Sequence, residues 1–448
     1  MLNRNGNNSP FYLPQRGSKK DFSIILSNFS EKDSCRAVVF LFIWFFNFYF
    51  LSETLSAKNI HVGAHQKIRT IQSALKIISN GDSVIVEEGT YKEKSLLIDK
   101  SIILIGKNSP VLSGENKYEI MKIKADNVVV KGFIFKDTGL NFIFDNAAIK
   151  LDSVTNCTIE KNIFVNNFFG IYLSRSSRCK IIGNELSASQ TKETYSGNGI
   201  HLWQCREMII QKNKIEGHRD GIYFEFVKAS TIEENKSENN LRYGLHFMFS
   251  DSCKYSGNFF KKNGAGVAVM FTRNVDMHNN RFEYNWGGAA YGLLLKDISD
   301  SRIFENDFVK NSCAIYYEGC SRVTTHNNNL TENGTAIRLM ANSMDNSFSY
   351  NNFIGNSFDV TTNSTRNYNS FENNYWSEYK GYDLNKDGIG DIPHRPVKLF
   401  SIIIERNRPS LILIRSLFVE LLNAAENIFP SLTPQTLIDS KPQMKRYL

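Results

Sequence analysis

The stretch NKSENNLRYGLHFMFSDSCKYSGNFFKKNGAGVAVMFTRNVDMHNN, residues 235–280, contains two consecutive copies of one short unit. Each copy runs from one asparagine to the next and contains a strand that opens with glycine. The same asparagine recurs at Asn162, Asn184, Asn213, Asn235, Asn258, Asn280, Asn306, Asn328, Asn352 and Asn374. Five of the nine gaps are 22 residues, and the others are 23, 24, 26 and 29. Such spacing is typical of a structural repeat whose turns carry occasional insertions.

The repeat predicts an all-β chain. Each unit is predicted to form a short strand, an asparagine turn, a second strand and a second turn, which favours stacked coils over a globule. Proline would remove donors from a strand ladder, and the chain has only nine. We therefore expect a right-handed parallel β-helix of the pectate-lyase type over residues 101–376, with coils of about 22 residues.

Both ends of the solenoid are expected to be covered. Within residues 58–100, apolar residues at helical spacing over 68–78 predict a short N-terminal capping helix before the first coil. Residues 377–448 are expected to form an Asp/Asn/Gly loop, a helix and a tail. Ser410 is placed to cap a helix over 411–428, with Pro430 and Pro434 ending it. The basic tail beyond it shows no core pattern, so it either caps the solenoid or docks on a membrane partner.

Residues 1–57 are predicted to be a leader. Basic residues precede an apolar run over 37–51, and Leu55-Ser56-Ala57 is a candidate cleavage site. The run is shorter than the roughly 20 residues that cross a bilayer, which favours a cleaved signal peptide and export to the periplasm over a retained anchor. The leader is long, so the translation start stays open. In the mature chain Cys157 and Cys179 lie one coil apart, and they either form a disulfide or fill a turn that needs small residues.

The net charge and its distribution argue against nucleic-acid binding as the main function. The net charge of +8 is modest for 448 residues, and no basic block carries it. Residues 1–57 contain six Lys/Arg and four Asp/Glu, which leaves 47 minus 41, or +6, for the rest. A weakly basic surface argues against a dedicated nucleic-acid binder.

Aligning the second strand of each coil separates its two faces. Side chains alternate along a strand, and one aligned column is wholly apolar, so it is expected to face the core. That column contains Ile171, Ile200, Ile222, Leu245, Val267, Leu293, Ile315 and Ile337. The residues between the apolar columns should then point outward. We expect three of these, Trp203, Glu225 and Met340, to contribute to a partner-binding face.

Three outward residues suggest a metal site. Because neighbouring rungs lie about 4.8 Å apart, His246, Met248 and Met270 should be close together. Imidazole and thioether ligands suit a soft ion such as Cu(I). His201, two rungs away, is a candidate for a second copper position. A surface that binds only a protein partner would look similar and is the alternative.

The segment Asp383-Leu-Asn-Lys-Asp-Gly-Ile-Gly-Asp391 resembles the first half of a calcium loop. The candidate ligands are Asp383, Asn385, Asp387 and Asp391, because Ca²⁺ prefers oxygen ligands. His394 stands where a closing glutamate would be expected. The alternative is a turn that binds no metal.

Several strings resemble the NosD family more specifically than the asparagine repeat does. They are GLHFMFSD (244–251), NGAGVAVMFTRNV (263–275), WGGAAYGLLLKDISDS (286–301), NNYWSEYKGYDLNKDGIGDIPHRPVKLFS (373–401) and LNAAENIFPSLTP near the end. The resemblance, which covers the chain from about Ala57 onward, implies a periplasmic protein that is not an enzyme. It also implies a role in assembling the copper centres of nitrous-oxide reductase, with an ABC transporter and a copper-chaperone lipoprotein as partners.

Two other functions stay open, because a β-helix alone does not decide activity. One is a carbohydrate-active enzyme, such as a uronate lyase or epimerase. It would draw on Asp220, Glu225, Glu318, Arg338 and the nearby His218. These residues are spread over several coils with methionines between them, which a sugar-acid site does not need. The other is a scaffold without catalytic function.

Overall fold

The computed structural model of the protein describes residues 57–140, 145–189, 192–364, 366–429 and 437–447. The predicted leader, with its apolar run over 37–51, lies outside the described residues. So do Pro430 and Pro434, the predicted helix terminators. Among the residues that are described, no helix is long and apolar enough to cross a membrane.

The chain forms the predicted right-handed parallel β-helix. A complete coil contributes one strand to each of three parallel sheets, named A, B and C in chain order. Sheet A contains Asn59–Val62, Ser83–Val86, Ile103–Gly106, Val129–Lys131, Thr158–Glu160, Lys180–Ile182, Ile209–Gln211, Thr231–Glu233, Lys254–Ser256, Asp276–His278, Arg302–Phe304, Thr324–His326, Ser347–Ser349 and Ser370–Glu372. Sheet B contains Thr90–Tyr91, Val111–Ser113, Ile134–Lys136, Ile163–Val165, Glu185–Ser187, Lys214–Glu216, Lys236–Glu238, Phe259–Lys261, Arg281–Glu283, Asp307–Val309, Asn329–Thr331, Asn352–Ile354 and Tyr375–Trp376. Sheet C contains Leu96–Ile98, Met121–Ile123, Ala147–Asp152, Phe169–Ser174, Ile200–Trp203, Asp220–Glu225, Tyr243–Met248, Ala265–Met270, Tyr291–Lys296, Cys313–Glu318, Thr335–Leu339 and Phe358–Thr362.

The repeating asparagine forms a buried ladder at the turn between sheets A and B. The backbone N–H of Asn258 donates to Oδ1 of Asn280 at 3.0 Å, and its Nδ2 donates to the same oxygen and to the carbonyl of Ile232. Buried turns must satisfy such backbone groups internally, which explains why asparagine recurs. Five residues further on, a second ladder joins Asn240, Asn263, Asn285, Asn311, Asn333 and Asn356.

One predicted ladder member is wrong. Asn328 and Asn374 are both bonded to Asn351, each 23 residues away, so Asn351 and not Asn352 occupies the rung. The Asn352 side chain bonds instead to Asn329 and to the carbonyl of Tyr447. Adjacent asparagines fit the spacing almost equally well, and only the direction of the side chain separates them.

The core lies between the sheets and consists of stacked apolar columns. The predicted inward column of sheet C is fully buried. Stacking of like residues continues in sheet B, where the ring centroids of Phe260 and Phe282 are 5.4 Å apart and those of Phe282 and Phe308 are 4.5 Å apart. Each coil therefore buries its apolar residues against the next coil, as the solenoid prediction requires.

Helices lie near both ends of the solenoid. Helix α1, Ile71–Ile77, begins after Thr70, whose side chain accepts a bond from the backbone of Ser73. The predicted helix over 411–428 is not continuous. A 3₁₀ helix, Arg408–Leu413, separates helix α2, Leu399–Arg406, from helix α3, Leu417–Ile428.

The break in the predicted helix lies between the 3₁₀ helix and helix α3. Ser410 lies inside the 3₁₀ turn, and Ser416 occupies the position before helix α3. Helix α2 packs Phe400 and Ile404 against Phe358 in the last strand of sheet C. The periodic apolar residues that predicted one helix therefore belong to separate elements.

The C-terminal tail contributes to the solenoid, although its sequence shows no core pattern. Leu437 is buried in the main core, and Asp439 is fully buried at the end of the asparagine ladder. Its Oδ2 accepts bonds from the backbone N and Nδ2 of Asn374 and from Nε1 of Trp376, at 3.0–3.1 Å. Asp439 thus occupies the place of the next ladder asparagine.

Candidate functional site

The outer face of sheet C brings the predicted copper ligands into register. Met248 pairs directly with Met270 in the next coil, and His246 lies two residues before Met248 on the same strand. His201 pairs with Tyr223, which in turn pairs with His246. Met248 and Met270 are therefore neighbours across one rung, and the two histidines are separated by one aromatic residue.

The two histidines point away from the core, but they are not exposed as the outward assignment predicted. Only 9% of His201 and 5% of His246 is accessible to solvent. A stack of rings covers them: Tyr172 and His201 are nearly parallel at 4.5 Å between centroids, and Tyr223 lies 4.8 Å from His201 and 5.0 Å from His246. Because aromatic side chains are large, those on neighbouring rungs exclude solvent from the two histidines.

The environment of His201 keeps its ring neutral. Burial, with Arg219 and Lys150 nearby, lowers the pKa of His201 to about 3. Asn198, two residues before the strand Ile200–Trp203, places Nδ2 3.0 Å from Nδ1 of His201. The neutral form is the one that binds a metal.

A buried charged group lies beside His246. Asp220 is fully buried, with Oδ2 3.6 Å from Nδ1 of His246 and Oδ1 3.7 Å from Nε of Arg242. Neither oxygen of Asp220 and neither ring nitrogen of His246 has a hydrogen-bond partner. Within the described part of the chain, most buried polar atoms without partners belong to this region, in Asn198, His218, Arg219, Asp220 and His246.

His218 has a structural position. Its backbone N–H donates to Oδ1 of Asn240, so His218 occupies the position of the second ladder one coil before Asn240. Complete burial lowers its pKa to about 4.

Sequence reasoning missed a stripe of exposed aromatic residues beside the methionines. Phe226, Phe249 and Phe271 directly follow Glu225, Met248 and Met270, and their rings stack at 5.2 and 5.1 Å between centroids. Their exposed fractions are 45%, 39% and 39%. All three have left-handed backbone, with φ between 50° and 54°, which is unfavourable for a bulky residue. Their spacing of 23 and 22 residues is the signal that could have identified them.

The three predicted partner-binding residues do not form one patch. Trp203 and Glu225 pair on adjacent rungs, and the guanidinium of Arg175 lies 5.9 Å from the Trp203 ring. The backbone N–H of Met340 donates to the carbonyl of Tyr317. Tyr317 lies on the strand that follows the strand of Lys296 in sheet C. Met340 is therefore several rungs from Met270.

The acidic residues considered for a sugar enzyme are also separated. Glu225 and Glu318 are on different coils, with Met248, Met270 and Lys296 between them in register. Arg338 is occupied by a 2.8 Å ion pair with Glu405 of helix α2.

In the predicted calcium loop, backbone N–H groups of the loop itself bond to the candidate ligand carboxylates. Asp383 accepts bonds from the N–H groups of Asp387 and Gly388, Asp387 accepts from Ile389, and Asp391 accepts from Leu384. Asn385 donates to Asp387. Calcium binding stays a prediction, but His394 does not complete the loop. Its ring packs 4.8 Å from that of Trp376, and burial lowers its pKa to about 4.

The cysteines are buried free thiols throughout the described residues. This includes Cys157 and Cys179, so the structure favours the small-residue alternative over a disulfide. Cys157 bonds to the carbonyl of Ala125 at 3.4 Å, and Cys179 bonds to that of Ser177 at 3.3 Å. No cluster of three His, Cys, Asp or Glu with metal-binding geometry occurs in the described ranges. The copper candidates depend instead on methionine sulfur.

The chain is similar to one protein family over part of its length. A family described as periplasmic copper-binding protein (NosD) matches residues 187–386, which include the His/Met face. A probable ABC transporter binding protein NosD of Stutzerimonas stutzeri is 27% identical over 355 residues, covering 75% of this chain and 80% of that protein. A protein of the same name from Pseudomonas aeruginosa is 26% identical over 374 residues, covering 78% and 86%.

Solved structures show the same fold. A family 28 exopolygalacturonase of Yersinia enterocolitica has a TM-score of 0.54 at 12% identity, covering 73% of this chain and 79% of that one. The catalytic domain of a GH87 alpha-1,3-glucanase has a TM-score of 0.52 at 11% identity, covering 71% and 69%. At this identity the likeness extends to the β-helix alone.

Proposed function

Because the chain belongs to the NosD family of periplasmic copper-binding proteins, we propose that it binds Cu(I) on the outer face of sheet C. It relays this copper to the apo-enzyme during assembly of the copper centres of nitrous-oxide reductase. The observation that carries the proposal is the direct pairing of Met248 with Met270 beside His246.

The ligand chemistry favours copper in its reduced state. Thioether sulfur and neutral imidazole bind Cu(I) well, whereas Ca²⁺ and Mg²⁺ require oxygen ligands. Met248 and Met270 are half-buried, and His246 is nearly inaccessible. A methionine pair at the surface can take up the ion first, with the histidine as the inner ligand. His201, beyond Tyr223, is the second position on the same face.

The phenylalanine stripe supports a docking role beside the metal. Exposed aromatic side chains are typical of protein interfaces. We assign Phe226, Phe249 and Phe271 to contact with a protein partner, together with Trp203 and Glu225. The relatives are named ABC transporter binding proteins, so we propose the transporter as this partner.

A copper-chaperone lipoprotein and nitrous-oxide reductase are the further proposed partners, at the two ends of the relay. Met340 lies apart from the copper residues and is proposed as a contact for one of them. The proposed role requires no catalytic residues. The competing sugar enzyme would need its acids and a cation in one cleft, but Arg338 is already paired with Glu405.

Copper content of nitrous-oxide reductase tests the function in cells. A strain that lacks this protein is complemented with wild type, with the Met248→Leu/Met270→Leu double variant, or with Met344→Leu, an exposed methionine elsewhere. Leucine preserves volume and removes sulfur. We expect copper-deficient reductase with the double variant only, and full copper loading in all three strains would reject the proposal.

A further inference from the structure

We propose that Asp220 is a positioning residue for the copper site. Its carboxylate favours the His246 tautomer whose Nδ1 carries the proton, which leaves the lone pair of Nε2 available to the metal. This inference rests on the proposed function for its purpose. The contact itself can be tested without copper.

The geometry places the carboxylate at one ring nitrogen only. Oδ2 of Asp220 is 3.6 Å from Nδ1 of His246, and both groups are buried. A distance of 3.6 Å is longer than a hydrogen bond. The two atoms would form a hydrogen bond after a small movement of either side chain. The buried carboxylate and the buried imidazole have no other hydrogen-bond partners. A hydrogen bond from Nδ1–H to the carboxylate would remove the free-energy cost of leaving both groups unsatisfied.

The neighbours of this pair hold both groups in place. Oδ1 of Asp220 faces Nε of Arg242 at 3.7 Å, which keeps a positive charge beside the carboxylate. The guanidinium of Arg242 lies 4.9 Å from the Tyr243 ring, and that ring lies 4.7 Å from His246. The Tyr223 ring lies 5.0 Å from that of His246. Two aromatic rings thus pack against the imidazole and restrict its rotation.

The second histidine also has a polar side chain at Nδ1. Asn198 contacts Nδ1 of His201 at 3.0 Å, and its Oδ1 has no partner. A half-turn of the amide would bring Oδ1 to Nδ1 and let it accept a hydrogen bond from Nδ1–H. Both candidate copper histidines thus have a polar side chain at Nδ1. Metal-binding histidines usually donate their second ring N–H to an oxygen of this kind.

The first test measures the tautomer in the metal-free protein. Histidine ¹⁵N NMR shifts distinguish Nδ1–H from Nε2–H, and the His246→Gln variant identifies the signals. We expect Nδ1–H at His246 in wild type and in Asp307→Asn, a control aspartate in sheet B. We expect the signals to move toward Nε2–H, the ordinary form of histidine, in Asp220→Leu. An Nε2–H tautomer in wild type overturns the proposal, even if Asp220→Leu fails to fold.

The second test measures Cu(I) affinity by competition with bicinchoninate. We expect about 10- to 100-fold weaker binding in Asp220→Leu, the usual effect of losing such a partner. Asp220→Glu should recover part of the affinity, and Asp307→Asn, in sheet B, should retain all of it. Unchanged affinity in Asp220→Leu overturns the positioning role. If wild type binds no Cu(I), the proposed function fails, and the tautomer measurement still decides whether Asp220 orients His246.

Discussion

Replacing Asp439 with alanine should open the C-terminal end of the solenoid. This carboxylate accepts hydrogen bonds from Asn374 and Trp376, where the asparagine ladder would otherwise end without a partner. It lies in a tail whose sequence has no repeat pattern. The substitution therefore tests whether the tail is a structural part of the β-helix.

The magnitude follows from counting the donors that lose their acceptor. Nδ2 of Asn374 keeps the carbonyls of Phe348 and Glu372 as partners, so it is not stranded. The backbone N–H of Asn374 and Nε1 of Trp376 are left buried without an acceptor. Each such group costs roughly 1–3 kcal/mol, so we expect Asp439→Ala to lower the free energy of unfolding by about 2–6 kcal/mol. Asp439→Asn keeps an acceptor oxygen and should cost about 1 kcal/mol.

Hydrogen exchange and urea unfolding together measure this effect. Solenoids can open coil by coil, so exchange of peptides around Asn374 locates the change while the unfolding midpoint gives its size. Asp99→Ala, at an exposed aspartate near the other end, is the matched control and should behave as wild type. If Asp439→Ala leaves both the midpoint and the local exchange unchanged, the tail does not cap the ladder.

Three further predictions concern other sites. Burial raises the pKa of Asp359 to about 6 from an ordinary 3.8, so its contribution to stability is full below pH 3.8 and is lost as the pH rises through 6. At pH 7 we expect Asp359→Asn to raise the free energy of unfolding by up to about 3 kcal/mol, and equal denaturation midpoints for both proteins would contradict this. Phe249→Asn should leave stability within about 1 kcal/mol, because relief of left-handed strain offsets lost stacking, yet weaken transporter binding in pull-down titrations; intact binding would exclude the stripe as an interface. Calorimetry should show Ca²⁺ binding that Asp383→Ala abolishes, and no heat with wild type would remove the calcium site.

The repeating part of the fold was predictable because every coil has to meet the same physical requirements. Each turn has a backbone amide to satisfy and each strand has an apolar face to bury, so asparagines and aliphatic residues recur at fixed spacing. The failures occur where the sequence does not repeat. Choosing between Asn351 and Asn352 depends on a side-chain direction that spacing alone does not give. The cap formed by Asp439 depends on contacts with residues more than 60 positions away.

The candidate site was predictable in its register but not in its burial. Aligning the coils was sufficient to place Met248 beside Met270. It could not show that Tyr172 and Tyr223 enclose His201, because that depends on ring orientation. The role of Asp220 was hidden for a related reason. Its partner is one coil away and not on its own strand.

Cu(I) binding by residues 58–448 tests the central claim most directly. The measurement is a competition titration under reducing, oxygen-free conditions, with X-ray absorption at the copper edge to identify the ligands. We expect tight binding through sulfur and nitrogen in wild type and in Met344→Leu. Loss of the sulfur signal is expected in Met248→Leu/Met270→Leu, and loss of the nitrogen signal in His246→Ala. Unchanged affinity and an unchanged ligand signature in these variants would contradict a copper site on the outer face of sheet C.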